Sequence, residues 1–232
     1  MSMKIKLFTK PKAALAALLL LGTCSAANAN IIVLDFEGAG NLAALEDFYN
    51  GGTDSLGNSG TDYGIEFGSD TLGLIDSDAG GGGNIANEPS GDTVMFFTTG
   101  TAILNYAAGF DTGFSFFYSS SSVADIFVYD GLDGTGNLLT TLSLAAQNSD
   151  DCVGDPNGGY CNWTAAGASF AGTALSVDFG GGVNAIAYDD ITFGTDVAGG
   201  TDVPEPQSFM LMLCGLGLMM RKKFSLYKRA KG

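Results

Sequence analysis

Between residues 31 and 193 apolar positions come in short runs or in alternation with polar ones, and clusters of Gly, Asn, Asp and Ser cut the runs apart. Ten such segments read as strands: 31–36, 63–67, 71–75, 93–97, 102–106, 113–118, 124–129, 138–144, 174–179 and 185–193. A period of two residues with turn residues at close intervals is the pattern of strands with one face in a core. Only 42–48, with Leu42, Leu45 and Phe48 at helical spacing, reads as a short helix. The fold class that follows is all-β, an antiparallel β-sandwich or jelly roll. The run from Asp130 to Gly136 joins two of these strands. Its Asp and Gly content predicts a hairpin turn, because it lacks the ligand spacing of a calcium loop.

The pattern changes at both ends. Residues 13–21 are an unbroken apolar run of nine, preceded by Lys4, Lys6, Lys10 and Lys12 and followed by Ala27-Asn28-Ala29. A basic start, a short apolar stretch and small residues at Ala27 and Ala29 make a secretory signal peptide cleaved before Asn30. Nine apolar residues fall far short of the roughly 20 that a membrane-spanning helix needs. At the other end, Val203-Pro204-Glu205-Pro206 precedes the apolar residues 209–220, and Arg221-Lys222-Lys223 open a basic tail. Two prolines end any preceding strand and hold the junction extended. The apolar stretch then reads as a short hydrophobic transmembrane helix, with its basic flank on the cytoplasmic side of the membrane. Its 13 uncharged residues from Ser208 to Met220 give about 20 Å of helix against a hydrocarbon core of about 30 Å, a gap that snorkelling of Arg221 and Lys222 narrows. The organisation is therefore a signal peptide (1–29), an acidic β domain (30–202) and a sorting segment (203–232).

On Pro204, Glu205, Pro206, the apolar stretch and Arg221 to Lys223, the chain resembles the PEP-CTERM family of bacterial surface proteins. The resemblance implies cutting of the precursor near the Pro-Glu-Pro motif by an exosortase in the inner membrane. It also implies a mature form at the cell surface or in an exopolysaccharide matrix, that is, a biofilm setting.

Charge sharpens this picture. All ten Lys and Arg residues lie at positions 4–12 or 221–231, and the chain has no His, so residues 13–220 contain no base. Twenty-four of the 25 acidic residues fall between Asp35 and Asp202. A domain without cations does not neutralise phosphates, which excludes nucleic acid as a partner of its folded surface. It also has no imidazole base and no Schiff-base lysine. Carboxylates, hydroxyls, amides and a bound cation are the chemistry that remains. The 35 glycines point to turn-dense β structure, while 16 Phe and a 46% hydrophobic content point to a packed core rather than disorder.

Cys152 and Cys161 flank the turn-forming run Asp155-Pro156-Asn157-Gly158-Gly159. In an oxidising compartment that arrangement predicts a disulfide. Nearby Trp163 is the only tryptophan; it reads as core in preference to a sugar-stacking platform.

The strand layout is also similar, more loosely, to jelly-roll carbohydrate-binding modules. In many of these an acidic residue of the first strand and an Asp-Asp/Asn-Ile pattern of the last share a structural calcium. The matching positions are Asp35 and Glu37 at the first strand and Asp189 and Asp190, before Ile191, at the last. With no base to pair them, converging carboxylates either face water or hold a cation, and oxygen-only ligands suit calcium. Asp76 and Asp78, beside the glycine run 80–83, form a weaker cluster. The functional expectation is a non-enzymatic, exported surface or matrix protein with exopolysaccharide as candidate ligand. The competing reading is a secreted, carboxylate-dependent, glycan-active enzyme.

Overall fold

The computed structural model describes residues 31–100, 102–150 and 158–200. Ala27, Ala29 and Asn30 of the signal peptide, Cys152, and the whole sorting segment from Val203 through Arg221, Lys222 and Lys223 lie outside the described residues. None of the described residues belongs to a helix long and apolar enough to cross a membrane. Residues Ala29–Asp202 make one compact unit.

Among the described residues eleven strands form two antiparallel sheets that face each other across a hydrophobic core. They are β1 (Ile32–Leu34), β2 (Ile65–Phe67), β3 (Thr71–Ile75), β4 (Thr93–Phe97), β5 (Ile103–Phe110), β6 (Gly113–Ser120), β7 (Ala124–Tyr129), β8 (Leu138–Leu144), β9 (Thr164–Ser169), β10 (Ala174–Asp178) and β11 (Ile186–Phe193). One sheet runs β3-β4-β11-β6-β9, with β1 paired to β11; the other runs β2-β5-β10-β7-β8. The expected antiparallel β-sandwich is the observed fold.

Alternation explains which side chains reach the core. In β6, Phe114, Phe116 and Tyr118 point inward, while Ser115 and Ser119 point away. Phe114 packs edge-on against Phe193 at 5.5 Å and Phe179 at 6.2 Å, and Phe116 against Tyr188 at 5.5 Å. Edge-to-face contacts suit ring quadrupoles, so this aromatic stack gains beyond the area it buries. A second aromatic group, Phe36, Phe48, Tyr49 and Phe67, fills the other end of the core.

In β11 the alternation inverts partway. Ile186 and Tyr188 face the core, and so do Ile191 and Phe193. That change of parity requires one extra residue, and the ladder with β6 is irregular between Asp189 and Thr192. Asp190 has φ 48°, the left-handed geometry of a bulge residue. The bulge lets both halves of an eight-residue strand bury their apolar members.

Two expectations are corrected. Residues 42–48 are not a helix. Leu42 and Glu46 have φ of 60° and 43°, which no right-handed helix accommodates, and the segment hydrogen-bonds along β3 through Leu42 N to Gly73 O and Leu45 N to Thr71 O. A strand absent from the ten expected ones, β9, pairs with β6 over its whole length. Its sequence, Thr-Ala-Ala-Gly-Ala-Ser, carries no large apolar residue, and a Cβ on Gly167 would collide with the backbone of Asp196 packed over it.

Candidate functional site

The first and last strands are neighbours. Pairing of Leu34 with Ile191 places Asp35, just past β1, at the β11 bulge that carries Asp189 and Asp190. Asp189 is fully buried. Its Oδ1 accepts from Asp190 N (2.7 Å) and Ser90 Oγ (3.1 Å), and its Oδ2 accepts from Ser90 N (3.0 Å). Burial, and next the charge of Asp190, push its carboxyl up to about 8 despite those donors. Asp190 is raised as well, through burial first and then repulsion from Asp35. Asp35 accepts from Glu37 N (3.2 Å) and from the hydroxyl of Tyr49 (3.4 Å). Tyr49 is itself buried, which with the adjacent Asp35 raises its hydroxyl.

Glu37 stands on the other side of the turn 90–93. Its Oε1 accepts from Asp92 N (2.9 Å) and Thr93 N (2.8 Å). Gly91, with φ 48°, lets the turn approach Glu37 closely; a Cβ there would run into the carboxylate. The fold thus brings Asp35, Asp189 and Asp190 into one electrostatic neighbourhood and ties Glu37 to the same turn from behind. Among the described residues no three His, Cys, Asp or Glu side chains are grouped closely enough to form a metal cage. Beside Asp35 and Glu37 lies a polar cleft of ≈ 310 Å³, walled by Tyr49 and Tyr63 with Ser59 and Thr61.

A larger cleft, ≈ 390 Å³, lies on the outer face of the β3-β4-β11 sheet. Its floor is Leu74, Phe96 and Ala187, and Leu42, Ile85 and Tyr160 stand at its sides. Polar atoms come from Asn84, Thr98 and Asn184. The backbone of Asn84 accepts from Gly159 N and Tyr160 N, which holds the loop carrying Tyr160 against the loop carrying Asn84. The Tyr160 hydroxyl shares a 2.9 Å hydrogen bond with Ser121 Oγ. Trp163 packs beneath this region on Ile85, Val94 and Ala187, and its Nε1 donates to Ala86 O (3.0 Å). It is half-buried against that small cluster, where the sequence reading expects a core position.

None of Ser90, Asn84, Tyr160 and Asn184 stands out in the sequence, because the cleft and the bulge support are assembled from loops far apart in the chain. The one local signal is Pro89-Ser90-Gly91, a turn composition that places Ser90 where its side chain and N–H face the bulge. The run 130–136 is a turn: Asp130 N donates to Asn137 O, Gly131 N to Thr135 O, and the Asp130 carboxylate caps Asn137. Asp133 accepts from Asn105 Nδ2 (2.8 Å). Asp76 is buried just past the end of β3, where Ser77 donates to it at 3.4 Å. Cys161 is buried; its expected partner is outside the described residues.

No protein-family model matches the chain, and no curated protein matches it in sequence. Among solved structures it is similar to a family 6 carbohydrate-binding module, at 16% identity over 55% of this chain and 83% of that one, with a TM-score of 0.36. It is likewise similar to CsCBM6-3 from Clostridium stercorarium, solved with cellobiose (17% identity, 48% of this chain, 80% of that chain, TM-score 0.34). The K2 cleaved adhesin domain of Lys-gingipain is matched at 12% identity over 70% of this chain and 97% of that chain, with a TM-score of 0.42. At such values no property of those proteins carries over to this chain.

Proposed function

We propose that this chain is an exported, non-enzymatic protein whose acidic β-sandwich binds polysaccharide through the outer-face cleft. The observation that carries this reading is the composition of the cleft. An apolar floor, the ring of Tyr160 and a few amides and hydroxyls suit the faces and edges of a sugar ring. Glycoside hydrolysis asks instead for two carboxyl groups flanking the bond, and the lining residues of this cleft include none. The test is a glycan array on the 30–202 unit with a reducing-sugar assay alongside. The expected result is retention of a neutral saccharide, lost on Tyr160→Ala, with no release of reducing ends. Release of reducing ends favours the enzyme instead.

Calcium is the cation proposed for the bulge. In its support, burial raises both Asp189 and Asp190, the charge of Asp190 adds to the first and that of Asp35 to the second, and residues 13–220 offer no base to relieve them. Asp35 and Asp190 would hold the ion. Asp189 and Glu37, whose oxygens accept from Ser90, Asp92 and Thr93, would shape the site from behind. A hard, oxygen-only donor set fits calcium in preference to transition metals. Melting the unit in calcium and then in chelator tests this, and superimposable curves would sink it.

Sorting is proposed from the sequence: signal cleavage between Ala29 and Asn30, a transient stay in the inner membrane, and exosortase cutting near Pro204-Glu205-Pro206. The Cys152–Cys161 disulfide is a further proposal, supported by the burial of Cys161 and the exported setting.

A further inference from the structure

We infer that the outer-face cleft selects saccharides by charge, preferring cationic amino sugars to neutral ones and rejecting uronates. This rests on the saccharide reading of the cleft and adds the class of ligand that it takes. Residues 30–202 carry 24 Asp and Glu and no Lys, Arg or His, so with Asp189 keeping its proton at neutral pH the remaining charge is still all carboxylate. The segment between β3 and β4, which supplies Gly82, Asn84 and Ile85 to the cleft, carries Asp76, Asp78, Glu88 and Asp92 and no base.

The size of the effect follows from the charge and the dimensions of the unit. A compact unit of this length has a radius of about 20 Å. Spreading the carboxylate charge over that sphere in water, with a screening length of about 8 Å at physiological salt, changes the affinity for a surface-bound unit charge about tenfold. In 1 M salt, with a screening length of about 3 Å, the factor falls to about threefold. A ring bearing one ammonium therefore gains about tenfold over its neutral parent, and a ring bearing one carboxylate loses about as much. The Asn84, Thr98 and Asn184 side chains bind hydroxyls whatever the net charge, so the field sets preference among sugars of one shape.

The experiment uses calorimetry on the 30–202 unit in EDTA, which removes cations able to bridge two carboxylates. The probes are neutral tetrasaccharides of glucose, mannose, galactose and N-acetylglucosamine, each beside a version with one amino-substituted ring and one with a single uronate. Thr98→Trp, at the exposed rim, fills the cleft without touching the core, and Tyr160→Ala removes a side wall. The expected order is amino above neutral above uronate, about tenfold per step at 0.15 M salt and about threefold at 1 M, with both variants abolishing binding of the neutral parent. Equal affinity for neutral and uronate probes, lost in both variants, overturns the charge inference and leaves the saccharide reading standing. Amino-probe binding that survives both variants shows plain ion pairing with the surface and overturns the inference. If no neutral probe binds, the saccharide reading fails and takes the charge inference with it.

Discussion

Replacing Asp189 with Asn tests the bulge at its most loaded atom. In the folded protein the Asp189 carboxyl sits at about 8, against 3.8 for an ordinary aspartate. The raised value means that the folded state holds the proton more tightly than the unfolded chain does. The associated stability is complete below pH 3.8 and is lost progressively until the pH passes 8. The slope is about 1.4 kcal/mol per pH unit, and the full loss is at most about 6 kcal/mol. Asn has no proton to lose, so the variant lacks this slope. It has its own cost, however. The Ser90 and Asp190 N–H groups both donate to Asp189, and an amide has one accepting oxygen where the protonated carboxyl keeps two. One N–H is left facing an NH2 group, a loss of about 1–3 kcal/mol. In EDTA the wild type should therefore be the more stable protein at acid pH and the less stable one at alkaline pH. The curves should cross where the wild type has lost as much as the variant, at about pH 4.5–6. By pH 9 the variant should lead by about 3–5 kcal/mol, a large part of the stability of a typical domain. Urea melts from pH 4.5 to 9 on both proteins read this directly, and repulsion among the remaining carboxylates cancels in the difference. Parallel curves between pH 5 and 8 would refute the reasoning, because they would mean that Asp189 keeps its ordinary acidity under its loop.

The remaining predictions address packing, crosslinking and sorting. Tyr188 is fully buried and its hydroxyl has no hydrogen-bond partner, so Tyr188→Phe should be neutral or stabilising by about 1–3 kcal/mol in urea melts; a clear destabilisation would reveal a bond the hydroxyl makes. Phe114→Ala, at the centre of the aromatic stack, should cost about 3–5 kcal/mol in the same assay. If Cys152 and Cys161 are joined, the double Ser variant should lose about 2–3 kcal/mol, the chain entropy of a loop of ten residues, and mass spectrometry under non-reducing conditions should find both cysteines in one linked peptide. In a host with the processing enzyme, Pro204→Ala with Glu205→Ala should leave uncut precursor on a blot; normal maturation of that variant would exclude the motif from sorting.

What could be read from the chain depended on how far apart the cooperating residues lie. Strands with large alternating residues were legible, since each carries its own period: Phe114, Phe116 and Tyr118 declare β6 without help from the rest of the fold. β9 was not, because it carries no large apolar residue to mark a period, and its Gly167 answers to Asp196, about thirty positions away, a constraint invisible in Thr-Ala-Ala-Gly-Ala-Ser itself. Residues 42–48 misled in the opposite sense. Leu42, Leu45 and Phe48 keep helical spacing, but Leu42 and Leu45 donate to β3 while Phe48 closes a turn on Leu45 O, and two left-handed residues bend the chain to fit.

The doublet Asp189-Asp190 carried both kinds of information at once. Read as chemistry, it marks carboxylates at a terminal strand. Read as pattern, it is the point where Ile186 and Tyr188 on even positions give way to Ile191 and Phe193 on odd ones. An unbroken strand satisfies only one of those sets, so a bulge is required wherever the two meet. The bulge turns Asp190 left-handed and leaves Asp189 buried under Ser90. The packing of the core, rather than any ligand, is thus sufficient to bring two carboxyl groups together there. A cation would act on a strain that the apolar pattern already imposes, which is why the pH dependence of Asp189 should appear even with every metal removed.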